Sequence, residues 1–474
     1  MAAACPAFAA DDPPEVAEAL AAMRSATTFF TRQVATEGGY LYAYSADLKR
    51  REGELPATDT MVWVQPPGTP AVGMAYLRAY EATGDDFYRQ AARQTAEALI
   101  KGQLRSGGWD YKIEFDPQLR KKIAYRVAPA GAEGANVTTL DDDTTQAAIR
   151  LLMRMDQALG FKDDTVHEAA QYALTSLVAA QYPNGAWPQR YSQPPVASEF
   201  PVLKARYPDQ WSRTWTRDKY SSYYTFNDNA IGDVVAVVLE AARVYDDSQY
   251  RRAAERAGDF ILLAQMPDPQ PAWAQQYNAR MEPAWARKFE PPAITGGESQ
   301  SVLIMLLLLA RETGQSKYLE PVPRALAYLN ASRLPDGRLA RFYELRTNTP
   351  LYFTRDYQLT ESDSDAPTHY TFKMSGRLDN IQKEYDRLQK KGLKPAQRAK
   401  PPQLGSDLTA RTKRAITSLD DHGRWLETDR LKLDPPDSTP GPIIRSSTFI
   451  ANLRTLADFV EASRAAAKHR DERK

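Results

Sequence analysis

The chain has 474 residues, with 61 Lys and Arg against 60 Asp and Glu, a net charge of +1 and a pI near 7.7. That balance excludes the global basic footprint of a nucleic-acid binder, so any polyanion must be held by a local patch. One cysteine, Cys5, excludes a disulfide framework, and its terminal position argues against thiol chemistry.

Residues 1–10 read as the tail of a secretory signal, with Ala7-Phe8-Ala9 as a small-residue cleavage site, or as the end of a lipoprotein signal at Ala2-Ala3-Ala4-Cys5. Export, to the periplasm or beyond the cell, is the expectation. A helix is predicted over Pro14–Ala35, ending in Gly38-Gly39-Tyr40. Leu41–Gly68 is loop-like, with a short strand at Met61–Val64 before Thr69-Pro70 opens the next helix.

From there a helix-pair unit recurs. Its second helices read Phe87–Gln103, Thr165–Gln181, Tyr250–Gln265 and Tyr318–Ser332, each with one apolar stripe at three- and four-residue steps. Its first helices, around Ile149–Met153, Val234–Leu239 and Val302–Leu309, are apolar all round and should lie inside. Val302–Leu309 is far too short to span a bilayer, so no stable membrane insertion is expected. Three units end in a glutamine, a tight turn and a tryptophan: Gln103 to Trp109, Gln181 to Trp187 and Gln265 to Trp273. A degraded copy runs from Arg333 through Pro335-Asp336-Gly337 to Leu339.

Between units, Tyr111–Phe115 and Ile123–Val127 alternate with period two and suggest a hairpin. Beyond Arg341 the repeats stop: Tyr352–Phe372 looks irregular or strand-like, Ser375–Lys391 looks like a charged surface helix, and Lys394–Asp407 is the best linker candidate. The last apolar helix, Ser446–Ala462, has no second helix after it, and pairing it with the first would close a ring. The expected fold is all-α, a helix-pair (α/α) toroid with a few short strands in the roofing loops. Residues 11–474 form one domain on this reading, with a recognisable core over about 140–356 and an extension, 357–474, packing on or closing the ring.

Three segments bring chemistry to one mouth. Thr138–Thr145 contains Asp141-Asp142-Asp143, Tyr224–Ala230 contains Asn227-Asp228-Asn229, and Ala272–Glu290 ends in Arg287-Lys288-Phe289-Glu290. Asp or Asn at a helix start is ordinarily a cap. Three consecutive aspartates exceed a cap's needs, and a cluster of hard oxygen ligands without histidine suits calcium better than zinc. His167, His369, His422 and His469 show no metal-ligand spacing. The 25 Tyr and 8 Trp suit carbohydrate stacking, although packing between helices accounts for most of them.

Taken together, the segments resemble the family 10 pectate lyases. The matching residues are Asp141; Asn184-Gly185-Ala186-Trp187-Pro188-Gln189; Thr225-Phe226-Asn227-Asp228; Trp273-Ala274-Gln275-Gln276; Pro283, Ala286-Arg287, Phe289-Glu290 and Glu298-Ser299. Later matches are Ala340–Glu344, Thr347-Asn348, Pro350 and Arg355-Asp356. The resemblance implies calcium-assisted β-elimination on polygalacturonate, an acidic polysaccharide. Carried over, Asp141, Asp142 and Asp228 would hold Ca²⁺ and Arg287 would be the base. Arg341, Arg355, Lys288, Trp187, Gln189 and Gln276 would contact substrate, with Trp187 also readable as a packing residue. A neutral Arg287 would be favoured by calcium and by cations such as Lys288 and Arg341. A monomer is expected. Asp142-Asp143, Tyr277-Asn278 and Thr349 depart from the family pattern toward negative charge. Two rivals stand beside this reading: a non-catalytic polyuronate-binding toroid, and a terpene-cyclase-like toroid suggested by Asp141–Thr144.

Overall fold

The structure, a computed structural model, describes residues 13–131, 133–394 and 401–471. It is mostly helical, at 47%. The helices are α1 (Pro14–Phe29), α2 (Thr69–Thr83), α3 (Asp86–Gly102), α4 (Thr144–Ala158), α5 (Asp164–Ala179), α6 (Ala230–Val244), α7 (Ser248–Ala264), α8 (Gly296–Thr313), α9 (Val322–Ala331), α10 (Leu378–Lys391), α11 (Ser406–Thr417) and α12 (Ser446–Asp471). None is long and apolar enough to cross a membrane. The helix-pair fold class expected from the periodicity is the one found. The secretory-signal reading of residues 1–10 lies outside the described residues.

The chain divides into two compact units, one of residues 1–138, 147–173 and 398–474, the other of 139–146 and 174–397. In the first unit α2 and α3 form a pair. Pro70 opens α2, Gly84 ends it in a left-handed turn, and the Asp85 carboxylate caps α3 by accepting from Phe87 N. Helix α12 packs on α1, α2 and α11, with Phe30 of the α1 extension stacked on Phe449 at 3.7 Å between ring centroids. The expected pairing of the first and last helices is therefore present. In the second unit α6 packs on α7 and α8, and α10 packs on α8 and α9 through Leu378, Ile381 and Leu388.

The Gln-to-Trp turn has a physical purpose. Each glutamine Nε2 donates both to a carbonyl of its own turn and to one on the next outer helix or its start. Gln103 reaches Gly107 O (2.9 Å) and Ala169 O (3.0 Å), Gln181 reaches Gly185 O and Ala253 O (both 2.9 Å), and Gln265 reaches Pro271 O (2.9 Å) and Pro321 O (3.2 Å). Each tryptophan is fully buried and donates its indole N–H back to the helix just left: Trp109 to Leu99 O, Trp187 to Leu177 O, and Trp273 to Ile261 O. Arg333 imitates the missing glutamine by donating to Gly337 O (3.1 Å), and it bridges to Asp379 at the start of α10.

A further copy escapes a search by sequence. After α11, Asp420 N donates to Arg424 O, Gly423 N to Asp420 O, and Trp425 Nε1 to Ala415 O at 2.8 Å. Leu419 stands where the glutamine would, so the motif was hidden.

Gly185 shows why the turn needs glycine. Its φ is +94°, and an added Cβ would lie 2.0 Å from Arg256 O on α7. Gly185→Ala should therefore cost about 2–4 kcal/mol, read as a lower urea midpoint with the same slope.

Three expectations need correction. Tyr111–Phe115 and Ile123–Val127 do not form a hairpin; Lys112–Glu114 pairs instead with the expected strand Met61–Trp63, and Ile123 bridges to Ala135. Period-two alternation reports a strand and is silent about its partner. The helix over Tyr318–Ser332 is broken into a 3-10 turn, Ser316–Leu319, and α9, because Pro321 and Pro323 lack the N–H groups a continuous helix requires. The linker proposed over Lys394–Asp407 falls partly on residues 395–400, outside the described residues, and α11 has already begun at Ser406.

Candidate active site

Two turns build the acidic half of the site, and both belong to the second unit. Asp141–Asp143 precedes α4 and Asn227–Asn229 precedes α6, each as one turn of 3-10 helix. Asp142 (φ 51°, ψ 38°) and Asp228 (φ 46°, ψ 32°) are left-handed, and so are the residues after them, Asp143 (φ 56°) and Asn229 (φ 59°). Two consecutive left-handed non-glycine residues cost about 1–2 kcal/mol each, a conformation Asp and Asn tolerate best. The matching dihedrals make Asp142, rather than Asp141, the repeat counterpart of Asp228. Asp142 is thus part of the shared turn and not an added charge beside it.

Asn229, at the N-cap of α6, makes no side-chain cap hydrogen bond. One carboxylate oxygen each from Asp141, Asp142 and Asp228 lies within 4.8 Å of the others. An all-oxygen, all-anionic set at that spacing fits a hard divalent cation such as calcium and suits zinc poorly.

The basic half is held by buried carboxylates. Gln275 links the halves: it is 1% exposed, and its Nε2 donates to Asn227 Oδ1 and to Glu290 Oε1, both at 2.6 Å. Glu290, also 1% exposed, accepts from Arg287 Nη2 (2.6 Å) and from Arg287 N (3.0 Å). Arg287 Nη2 also lies 3.7 Å from Asp228 Oδ2. Burial works against the Arg287 charge, but the Glu290 hydrogen bond and charge, then Tyr370 and Asp228, outweigh it and raise its pKa above the ordinary arginine value. The cations expected to crowd Arg287 are not what it meets. Lys288 is exposed and points over the Tyr357 ring (3.4 Å), and the groups beside Arg287 are carboxylates.

Arg341 is set by the sheet that joins Ala293–Thr295, Phe342–Glu344, Pro350–Phe353 and Leu359–Thr360. Its carbonyl accepts from Gly296 N, which brings it beside Glu298 on the first turn of α8. Arg341 Nη1 donates to Glu298 Oε1 (3.2 Å) and to Tyr370 Oη (3.0 Å). Burial, offset in part by Arg341, raises the Glu298 pKa. Burial, then the Asp141 charge, raises that of Asp228, with Arg287 opposing.

The remaining predicted contacts divide. Gln189 and Gln276 line a small polar cavity with Tyr220, Thr225, Asn227 and Glu290, Gln276 being 2% exposed. Arg355 has a side chain 73% exposed and pairs with Asp365. Trp187 is corrected: at 0% exposure, with its indole bonded to Leu177 O, it packs a repeat and presents nothing to a ligand. Gln275, Glu290 and Glu298 stood in the matched motifs without an assigned task. Tyr370 carried no signal at all.

Residues 121–339 match the family model of the pectic acid lyases. The match supports a polysaccharide lyase with pectate lyase activity. Similar solved structures include the family 10 polysaccharide lyase from Cellvibrio cellulosa, at 21% identity over 67% of this chain and 96% of that one, with a TM-score of 0.46. A mutant family 10 lyase from Cellvibrio cellulosa in complex with trigalacturonic acid is 21% identical over 68% and 98%, with a TM-score of 0.44. A glycoside hydrolase family 76 mannosidase from Bacteroides thetaiotaomicron is 11% identical over 97% and 99%, with a TM-score of 0.43. No curated protein matches.

Proposed function

We propose that the protein, exported and monomeric, cleaves polygalacturonate by calcium-assisted β-elimination with Arg287 as the base. The observation that carries this reading is the convergence of Asp141, Asp142 and Asp228, with Arg287 Nη2 3.7 Å from Asp228 Oδ2. Calcium bound to the three aspartates would draw charge from a uronate carboxylate and so acidify the C5 proton beside it. Arg287 takes that proton, the C–H electron pair forms the C4–C5 double bond, and the C4–O bond breaks as the glycosidic oxygen leaves and takes a proton from water, Arg287 then returning its own proton to solvent. Arg341, bonded to Glu298 and Tyr370, grips a neighbouring uronate carboxylate by a charge-assisted contact. Lys288 and Arg355, both exposed, supply positive charge further along the chain of sugars.

A base must be neutral, whereas Glu290 and Asp228 hold Arg287 charged before ligands bind. Calcium on Asp228 would remove one of those attractions and add opposing positive charge. Turnover should then rise with pH, because the neutral form of Arg287 grows as pH approaches its pKa from below. The same observation favours a second reading, a polyuronate-binding protein in which Arg287 remains charged and only grips substrate. Mass spectrometry of products from a galacturonate oligomer separates these. Elimination gives two fragments whose masses sum to that of the substrate; an extra mass of water would mean hydrolysis, and intact oligomer retained by the protein would leave binding alone.

A further inference from the structure

Beyond Leu339, where the family match ends, the chain returns to the site once more. Arg341 N donates to Phe372 O and Arg341 Nε donates to Thr371 O, both at 2.7 Å, while the Phe372 ring packs with Trp285, Phe342 and Phe353. This anchorage puts Tyr370 between the two arginines. Its hydroxyl accepts from Arg341 Nη1 (3.0 Å) and donates to Glu290 Oε1 (3.1 Å), the same oxygen that holds Arg287 Nη2. The guanidinium carbons of Arg341 and Arg287 lie 4.4 and 5.7 Å from the centre of its ring.

We propose that Tyr370 is a positioning residue which ties Arg341 to the Glu290–Arg287 pair and sets the spacing at which the two arginines meet successive uronates. The inference rests on the lyase reading of the site and adds a residue to it. Arg341 Nη1 divides its donation between Tyr370 and buried Glu298. Glu298 Oε2 is buried with no hydrogen-bond partner, so Glu298 has unused capacity to draw the guanidinium toward itself. The tyrosine hydroxyl holds Nη1 against that pull, beside the Thr371 O bond that holds Nε. Tyr370→Phe removes the hydroxyl and keeps the ring under Arg341.

The test is a double-mutant cycle of Tyr370→Phe and Arg341→Ala, read as kcat and KM on polygalacturonate and as Kd for trigalacturonic acid, with melting temperatures confirming folded proteins. Tyr370→Phe should raise KM and Kd about tenfold, as expected for one hydrogen bond to a charged group, with kcat changed less than about threefold. In the Arg341→Ala background the same substitution should alter either constant by less than about twofold. An unchanged KM and Kd in the single variant, or equal losses with and without Arg341, would overturn the proposal. If the unmutated protein binds trigalacturonic acid without turnover, the lyase reading falls, and the Kd cycle alone decides the role of Tyr370 by the same criteria.

Discussion

Arg287→Ala is expected to lower kcat on polygalacturonate by about 10²–10⁴-fold, the usual contribution of a positioned general base. The fold should survive, because Arg287 is half-buried and its charge is not part of a repeat junction. The vacancy leaves Glu290 buried and short of one partner, but Gln275 Nε2, Tyr370 Oη and the Arg287 backbone N–H still donate to it. Arg287→Lys separates two roles. Lysine keeps a positive charge near Asp228 but cannot reproduce the planar fork that meets Glu290 and a substrate group together. If Arg287 only gripped substrate, the lysine variant should raise KM and keep most of kcat. If it abstracts the proton, both variants should lose kcat, and the pH–rate profile of the lysine variant should move to lower pH, toward the lower pKa of an amine. These outcomes are distinguished by steady-state kinetics across pH on proteins of matched melting temperature.

Asp228→Asn and Asp142→Asn should each weaken calcium binding by at least about 10–100-fold, the range that removal of a ligand's supporting partner already reaches. Their expected pairing follows from the dihedrals, which place Asp142 and Asp228 at the same position of two copies of one left-handed turn. Asparagine accepts the left-handed conformation, so backbone strain should not confuse the result. Raised calcium should restore kcat in Asp142→Asn while leaving Arg287→Ala inactive. Asp228→Asn should recover less completely, because Asp228 also faces Arg287 at 3.7 Å. Calorimetric titration with calcium, and kcat against calcium concentration, check the two statements separately. Equal calcium affinity in all three proteins would remove the aspartates from the metal site.

Most helices were legible because burial of one stripe imposes a 3.6-residue period on the order of apolar residues, as in α3 and α7. The breaks were less legible. Pro321 and Pro323 sit within an apolar period that continues through them, and the strand Lys112–Glu114 carries no mark of its partner Met61–Trp63. The repeat ending at Trp425 escaped because Leu419 replaced the glutamine while the indole bond to Ala415 O, the feature that persists, leaves no pattern in sequence.

The site divides along the same line. Asp141, Asp228 and Arg287 were visible from residue type and motif. The register that equates Asp142 with Asp228 was not, since it resides in φ and ψ. Tyr370 reaches Arg341 from 29 positions away through backbone bonds at Thr371 and Phe372. Trp187 shows the opposite error, an aromatic in a matched motif whose task is to close a repeat.

The most direct measurement mixes the purified protein with polygalacturonate, with added calcium or with a chelator, and follows ultraviolet absorbance from an unsaturated uronate product. Absorbance should grow with calcium, stop on chelation, resume when calcium is restored, and be absent with Arg287→Ala. Absorbance that grows equally in chelator would contradict the calcium site, and retained growth in Arg287→Ala would contradict the base.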